Sequence, residues 1–303
     1  MSTTARILSG IAMILALFYA DIALVRAGLY GWTLFVALPL GVGAVGAWVM
    51  PHRTPGEALS GATLATVFAC GSLFLLGAEG AICIVMALPL VIPLGMVGGL
   101  AFYFLRHGLG ARGFAALLMI PSASLAYDST ATPPVYEVRS SIEINAPVSE
   151  VWKHVIEFPE LAKPDEWYFR AGVAFPKRAH IEGTGPGAIR YCEFSTGSFT
   201  EPIEVWDEPH LLRFSVTESP SPMREWSPYA DVEPVHLHGY LISREGQFHL
   251  TELRDGRTLL EGTTWYQHGL WPAQYWRLWS DAIIHRIHLR VLRHIRDLSE
   301  GQG

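Results

Sequence analysis

Three side chains in the second half of the chain are candidates for acid–base chemistry: Glu261, His238 and Tyr191. Of these, Glu261 is the acid that we expect to face the interior of its domain. A carboxyl group enclosed by apolar side chains has a raised pKa, and such a group serves as a general acid or base or anchors a ligand. The alternative is a salt bridge from Glu261 to Arg190 or Arg213, which would make this carboxylate structural.

The predicted orientation of Glu261 depends on a hairpin whose turn is Asp255-Gly256. A pair of this kind suits the tight turn of a two-residue hairpin loop. The resulting register collects the bulkier apolar side chains on one face, which we take as the interior. A shift of one residue would exchange the two faces of a strand. The predicted interior face carries Phe248, Leu250, Glu252, Leu259, Glu261, Thr263 and Trp265.

Histidines provide the only spacing that resembles a metal site. His236 and His238 would share one face of a strand, where His249 or Glu261 would add a third ligand for zinc. This spacing is common by chance, and the cysteines show no metal-binding spacing. We therefore predict no metal and no cofactor. Cys192 lacks a local partner and no G-x-S-x-G motif occurs, so a covalent hydrolase is not indicated.

Aromatic side chains are frequent in the second half of the chain, and the segment WPAQYWRLW is denser in them than a core requires. Aromatic residues line ligand cavities, dock on lipid headgroups or fill a core. We predict that part of this set contacts a ligand or the membrane. The candidate ligand-binding residues are Tyr191, Phe214, His236, His238, Phe248, Glu261, Trp265, Trp276 and Trp279.

The elements that would position these side chains follow an α+β order. A strand over VYEVRSSIEI alternates apolar and polar residues, and Pro147 begins a short helix. About six further strands follow, and a long helix over about 272–299 closes the chain. This order is typical of an antiparallel sheet with helices on one side. The long segment 218–246 is predicted to form an ordered lid or rim.

Charge divides the chain near residue 127. Residues 1–127 contain 8 charged side chains, against 42 in residues 128–303. The second part has a net negative charge, which argues against nucleic-acid binding. The first part predicts an all-α bundle of four to five transmembrane helices, because its apolar stretches have the length of membrane spans. The predicted spans are 7–28, 31–50, 58–78, 81–105 and 111–127, followed by a linker over 128–134 and a second domain over 135–303.

The basic residues between the spans predict an orientation. Arg6, Arg53, Arg106 and Arg112 would lie on one side of the membrane, and only Arg26 on the other. Basic loops remain in the cytoplasm, so we expect a cytoplasmic N-terminus. Five spans then place the C-terminal domain on the extracytoplasmic side, which we expect, whereas four spans would place it in the cytoplasm.

The second domain opens with SSIEINAPVSEVWKHV, in which a strand is followed by Ala-Pro and a helix with Val-Trp. This opening and the element order resemble the START-like, or polyketide-cyclase (SRPBCC), superfamily over about 135–299. The resemblance implies a helix-grip fold, in which a curved antiparallel sheet wraps around the long C-terminal helix and leaves an apolar cavity. It also implies a protein of the bacterial inner membrane, and it transfers no catalytic residue. The residues that carry the resemblance are Ile142, Ile144, Ala146, Pro147, Val151 and Trp152.

Together these features predict a membrane-anchored protein that binds a hydrophobic small molecule, such as a lipid, a quinone or a polyketide-like compound. The alternative is a cyclase- or dehydratase-type enzyme that uses Glu261, His238 or Tyr191 in the same cavity. A third possibility is a scaffold whose cavity is filled by its own side chains. The expected partners are the bilayer and the hydrophobic ligand, and the sequence does not indicate an oligomeric state.

Overall fold

The computed structural model describes residues 3–49, 54–109, 123–128, 130–229 and 234–301. The chain divides into two compact units. The first unit comprises residues 1–132, 225–236 and 269–276, and the second comprises 133–224, 237–268 and 277–303. Two segments from the second half of the chain therefore belong to the unit that contains the apolar helices.

The described N-terminal part of the first unit consists of helices joined by short turns. Three stretches are long and apolar enough to cross a membrane, namely Leu8–Arg26, Pro55–Leu75 and Ala81–His107, whereas the apolar stretch Thr33–Val49 is shorter. The predicted span 111–127 lies mostly outside the described residues. The helices are α1 (Thr3–Arg26), α2 (Leu38–Val49, preceded by a π-helical turn over Thr33–Ala37), α3 (Pro55–Leu75), α4 (Ala81–Phe104, continued by a π-helical turn over Leu105–Leu109) and the short α5 (123–128).

Glycines bring α2 and α4 into close contact. A Cβ atom added to Gly43 would lie 1.8 Å from the carbonyl oxygen of Gly95, and one added to Gly98 would lie 2.0 Å from the carbonyl oxygen of Leu40. Such distances are impossible for real side chains, so these positions require glycine. Small residues of this kind let apolar helices approach closely where lipid provides no hydrophobic driving force.

The second unit contains a seven-stranded antiparallel sheet with the order β1-β7-β6-β5-β4-β3-β2. Two short helices follow β1, and a long helix closes the chain, which confirms the predicted α+β, helix-grip architecture. The strands are β1 (Val135–Ile144), β2 (Pro176–Glu182), β3 (Ile189–Phe194), β4 (Gly197–Asp207), β5 (Leu211–Ser215), β6 (Leu241–Glu252) and β7 (Thr258–His268). The helices are α6 (Val148–Ile156), α7 (Trp167–Ala171) and α8 (Ala273–Ser299).

The core of the second unit lies between the concave face of the sheet and the helices α6 and α8. Trp152 of α6 and Leu292 and Ile295 of α8 are at most 2% exposed and pack in one cluster with Ile144 and Leu260 of the sheet. Trp152 and Ile295 belong to the apolar stripes that helical spacing predicts for these two helices, whereas Leu292 lies beside the predicted stripe. Burying a large apolar side chain contributes roughly 1.5–3 kcal/mol, so these contacts hold α8 in place.

The hairpin between β6 and β7 has a longer loop than the sequence suggested. Leu250 pairs with Leu260, and the last paired residues flank a five-residue loop, 253–257. Within this loop the amide of Leu253 donates to the carbonyl of Arg257 over 2.8 Å. The predicted two-residue turn was wrong, and the register of β7 against β6 differs from the prediction by one residue.

Candidate functional site

A cavity of about 150 Å³ lies in the second unit, between the sheet and α8. A cavity of about this size holds a small aromatic ring. Drug-sized ligands occupy pockets of about 300–1,000 Å³, so a larger ligand requires the wall side chains to move. The larger apolar side chains of the wall include Phe194, Phe199, Phe214, Val216, Phe248, Ile283, Ile284, Ile287, Val291 and Leu292.

Two glycines on neighbouring strands leave space in the wall of the cavity. A Cβ atom on Gly246 of β6 would lie 2.5 Å from the ring of Phe214, so this ring occupies the volume that a side chain would need. A Cβ atom on Gly262 of β7 would lie 3.7 Å from Leu292 and from Phe248, which is ordinary contact. The missing side chain of Gly246 therefore makes room for the Phe214 ring, whereas the concave face has space at Gly262.

A buried ion pair between Arg190 and Glu201 lines the cavity. The two residues are directly opposite each other on β3 and β4, and they are 1% and 6% exposed. Arg190 Nη1 donates to Glu201 Oε2, and Arg190 Nε donates to the carbonyl of Ile156 over 3.1 Å. The pKa of Glu201 is raised above its ordinary value, because burial disfavours the carboxylate more than the guanidinium stabilises it.

Aromatic rings surround the guanidinium group of Arg190. Its central carbon lies 5.5 to 5.7 Å from the ring centres of Phe158, Phe214 and Phe248. Each such contact is worth about 0.5–2 kcal/mol, with the upper value for groups removed from water. The rings thus compensate part of the free energy that is needed to bury the charge.

One nitrogen of the same guanidinium remains available for a ligand. Arg190 Nη2 is buried and has no oxygen or nitrogen acceptor among the described residues. Burial raises the pKa of the neighbouring Cys192 to about 12, so this residue is a neutral thiol with a weakly accepting sulfur. The arrangement therefore offers a charged hydrogen-bond donor inside an apolar cavity.

His288 of α8 provides a second polar group in the cavity wall. Its Nε2 lies 2.7 Å from Thr264 Oγ1, and its Nδ1 lies 3.1 Å from Ser140 Oγ, which also contacts His285 Nδ1 at 2.7 Å. Burial, with a smaller contribution from His285, lowers the pKa of His288 to about 4. The imidazole is therefore neutral at physiological pH and is held by two hydroxyl groups.

The structure brings two of the predicted ligand-binding residues to the cavity, Phe214 and Phe248. Glu261 lies on the outer face of β7, where it is 4.0 Å from Arg139 and 3.5 Å from His249. The prediction that Glu261 faces inward was wrong because of the register shift. The suggested ion pairs of Glu261 were also wrong, since Arg190 pairs with Glu201 and Arg213 pairs with Glu245.

The same one-residue difference in the register of β7 places Trp265 on the outer face of the sheet. Its indole nitrogen donates to Glu137 over 3.1 Å, and its ring contacts the Arg213 guanidinium at 5.4 Å. Tyr191 stacks on His180 with ring centres 5.1 Å apart, and it does not line the cavity.

The other predicted site residues also lie away from the cavity wall. His238 is exposed, and Trp279 is half-buried without lining the cavity. Trp276 belongs to the first unit, where its ring packs 4.7 Å from Phe35. His236 lies in a 3-10 helix over Val235–Leu237, so the prediction that His236 and His238 share one face of a strand was wrong.

Sequence reasoning did not place the polar groups Arg190, Glu201 and His288 in the cavity, although the i, i+3 spacing of His285 and His288 on the last helix was noticed. Arg190 was considered only as a partner for Glu261, although on β3 it alternates with buried Cys192 and with buried Ala188, which directly precedes the strand. That alternation was the available signal, because a charged residue between two buried small ones on a strand is itself expected to point inward.

Comparisons with known proteins agree with this fold. Residues 136–265 match the family model described as "Polyketide cyclase / dehydrase and lipid transport". The matched segment begins in β1 and ends in β7, so it includes every strand of the sheet. The START-like character of this part of the chain is thereby supported. A comparison with curated proteins gave no match.

Several solved structures are similar to the chain. Norcoclaurine synthase from Thalictrum flavum, in complex with dopamine and hydroxybenzaldehyde, is 12% identical, with 56% of this chain and 90% of that chain covered and a TM-score of 0.38. The Zhui aromatase/cyclase from Streptomyces sp. R1128 is 15% identical, with 55% and 94% covered and a TM-score of 0.34. A protein from Nitrosospira multiformis is 19% identical, with 55% and 100% covered and a TM-score of 0.35.

Proposed function

We propose that the chain is a membrane-anchored binding protein for a hydrophobic small molecule that carries an oxygen acceptor, such as a lipid, a quinone or a polyketide-like compound. The observation that carries this proposal is Arg190 Nη2, a buried donor without an oxygen or nitrogen acceptor among the described residues, in the wall of an apolar cavity. A buried donor that lacks an acceptor costs about 1–3 kcal/mol. A carbonyl or phenolic oxygen of the ligand would recover this free energy, while the ring-lined wall would bury its apolar part.

Anchoring is supported by the helices α1, α3 and α4, which have the length and composition of membrane spans. Large apolar side chains on α3 are exposed, with Leu64 at 58% and Phe68 at 70%. Exposed apolar surface of this extent is typical of contact with lipid rather than water. The bilayer is also the compartment in which ligands of the proposed class concentrate.

We expect the cytoplasmic N-terminus and the extracytoplasmic C-terminal domain that five spans imply. Alkaline phosphatase fused after residue 303 should be active, because its disulfides form only outside the cytoplasm, and a green fluorescent protein fused at the same place should stay dark. The reverse pattern would show an even number of spans and a cytoplasmic domain.

Binding is favoured over catalysis by the state of the titratable groups around the cavity. Glu201 is engaged by Arg190, and His288 has a pKa of about 4. An efficient general base has a pKa close to the working pH, so His288 is poorly suited to that role. The second candidate function is a cyclase- or dehydratase-type reaction, in which Arg190 would polarise a substrate carbonyl, and it is favoured by the family match of residues 136–265.

The binding function is tested by filling the cavity. Ile287 lines it from α8, and Ile287→Trp should displace a bound ligand because the indole occupies the available volume. The readout is the small-molecule content of the full chain, purified in detergent, extracted with solvent and measured by mass spectrometry. We expect at least one compound to fall fivefold or more in the variant.

Leu278→Trp is the matched control, since Leu278 lies on the same helix but is 70% exposed. The amount of lipid that is bound to the apolar helices should be the same in the wild type and in both variants. An identical extract from all three proteins would show that the cavity is not a binding site.

A further inference from the structure

A cluster of three metal-ligand side chains lies in the first unit, apart from the cavity. Glu79 precedes α4, Cys83 is in the first turn of α4, and His236 is in the 3-10 helix Val235–Leu237. Cys83 Sγ is 2.8 Å from His236 Nε2, and His236 Nδ1 is 3.7 Å from Glu79 Oε2. The three potential ligand atoms all lie within 4.8 Å of one another.

The cluster is buried, and its carboxylate is held by a neighbouring phenol. Glu79 and His236 are 6% and 7% exposed. The hydroxyl of Tyr30 donates to Glu79 Oε1 over 2.6 Å, and the Tyr30 ring lies 4.6 Å from the His236 ring. Glu79 Oε2 is buried without a hydrogen-bond partner among the described residues. Metal sites commonly use such outer contacts to orient a ligand while leaving one oxygen for the ion.

The charge around the cluster favours a cation. Glu225 accepts hydrogen bonds from the amides of Ile82 and Cys83 over 2.9 and 3.0 Å, which brings a second carboxylate to the start of α4. Within the described residues no Lys or Arg pairs with Glu79. A buried carboxylate needs a compensating positive charge or a proton.

The same contacts argue against the other function of a cysteine next to a histidine, nucleophilic catalysis. Such a site needs free backbone amides to stabilise the oxyanion of the intermediate. Here the amides of Ile82 and Cys83 are occupied by Glu225, so they cannot stabilise an oxyanion.

We propose that Glu79, Cys83 and His236 bind a zinc ion, with a fourth position open to water or another ligand. In tetrahedral sites zinc is bound by cysteine sulfur, imidazole nitrogen and carboxylate oxygen. The Zn–S bond is about 2.3 Å long and the Zn–N bond about 2.0–2.1 Å. These bond lengths imply about 3.6 Å between Sγ and Nε2, so the two side chains separate by less than about 1 Å when the ion enters. The thiol proton is released to solvent on binding.

The first test measures zinc in the full chain, purified in detergent and dialysed against micromolar zinc. We expect about one zinc ion per chain in the wild type and at least a tenfold loss of affinity in Cys83→Ser and His236→Gln. Cys70→Ser is the matched control, because Cys70 lies in the apolar helix α3 outside the cluster, and it should retain the ion. Absence of zinc from the wild type, or full retention in both cluster variants, would overturn the proposal.

The second test needs no substitution and so does not depend on a variant folding. Zinc should slow the alkylation of Cys83 by N-ethylmaleimide in the wild type, a chelator should restore the rate, and Cys70 in the same sample should be unaffected. The peptides are compared by mass spectrometry. If Cys83 is alkylated rapidly and at the same rate with zinc as with the chelator, the metal site is overturned and a nucleophilic cysteine is supported instead. Neither test involves the cavity, so its outcome is independent of the proposed ligand-binding function.

Discussion

Replacing Arg190 with methionine is expected to lower the free energy of unfolding of the second unit by about 3–5 kcal/mol, because it leaves Glu201 buried without a partner. Loss of the contacts to three phenylalanine rings adds to the effect. The change is best measured by hydrogen exchange of the amides in β3 to β7, on the full chain in detergent, since exchange resolves the stability of one part of a protein.

The double variant Arg190→Met/Glu201→Leu separates stability from ligand recognition. Replacing both members of a buried ion pair with apolar residues is often neutral or stabilising, so exchange protection should largely return. The apolar cavity then remains, but its charged donor is gone. We expect the double variant to retain purely apolar compounds and to lose those that carry a carbonyl or phenolic oxygen.

Two results would contradict this account. Exchange rates in Arg190→Met that match the wild type would show that Glu201 does not depend on the guanidinium. An unchanged set of bound compounds in the well-folded double variant would show that Arg190 does not recognise the ligand, whatever its part in stability.

The architecture of the second unit was predictable because it follows from strong local patterns. The alternation of β1, the Pro147 helix start and the apolar stripe of α8 each depend on residues close in the chain. The register of β7 was not predictable to one residue, because Asp255-Gly256 is compatible with loops of two or of five residues. This single ambiguity moved Glu261 from the predicted interior to the outer face.

The polar centre of the cavity was only partly predictable. A strand pattern can indicate that Arg190 points inward, but its pairing with Glu201 depends on how β3 and β4 align across their turn. The contacts of its guanidinium with Phe158 and Phe248 join residues far apart in the sequence. Tertiary proximity of this kind carries no local signal, and the candidates chosen from local patterns, Glu261, His238 and Tyr191, do not line the cavity.

The cluster of Glu79, Cys83 and His236 illustrates the same limit more strongly. His236 stands more than 150 residues from Cys83, and it reaches the first unit because residues 225–236 pack there. The sequence drew attention to His236 only through its neighbour His238, with which a strand was expected. In the structure, the side chain next to His236 is Cys83, which lies inside the apolar helix α4.

A lower pH is expected to destabilise the second unit through His288. The pKa of this group is about 4 in the folded chain, against about 6.5 in an unfolded one. Between these values the unfolded state binds more protons, so stability is complete above about pH 6.5 and falls as the pH decreases towards 4. The shift corresponds to a loss of at most about 3 kcal/mol between pH 7 and pH 4.

Urea unfolding of the full chain in detergent, followed by tryptophan fluorescence at several pH values, measures this loss. In His288→Gln the part of the pH dependence that belongs to the imidazole should disappear, so the difference between pH 7 and pH 4 should shrink by up to about 3 kcal/mol. His210→Gln is the control, because His210 is exposed in the turn before β5 and should leave the profile unchanged. If His288→Gln retains the wild-type profile, the pKa of His288 does not differ between the folded and the unfolded chain, which would contradict a buried, neutral imidazole in the cavity wall.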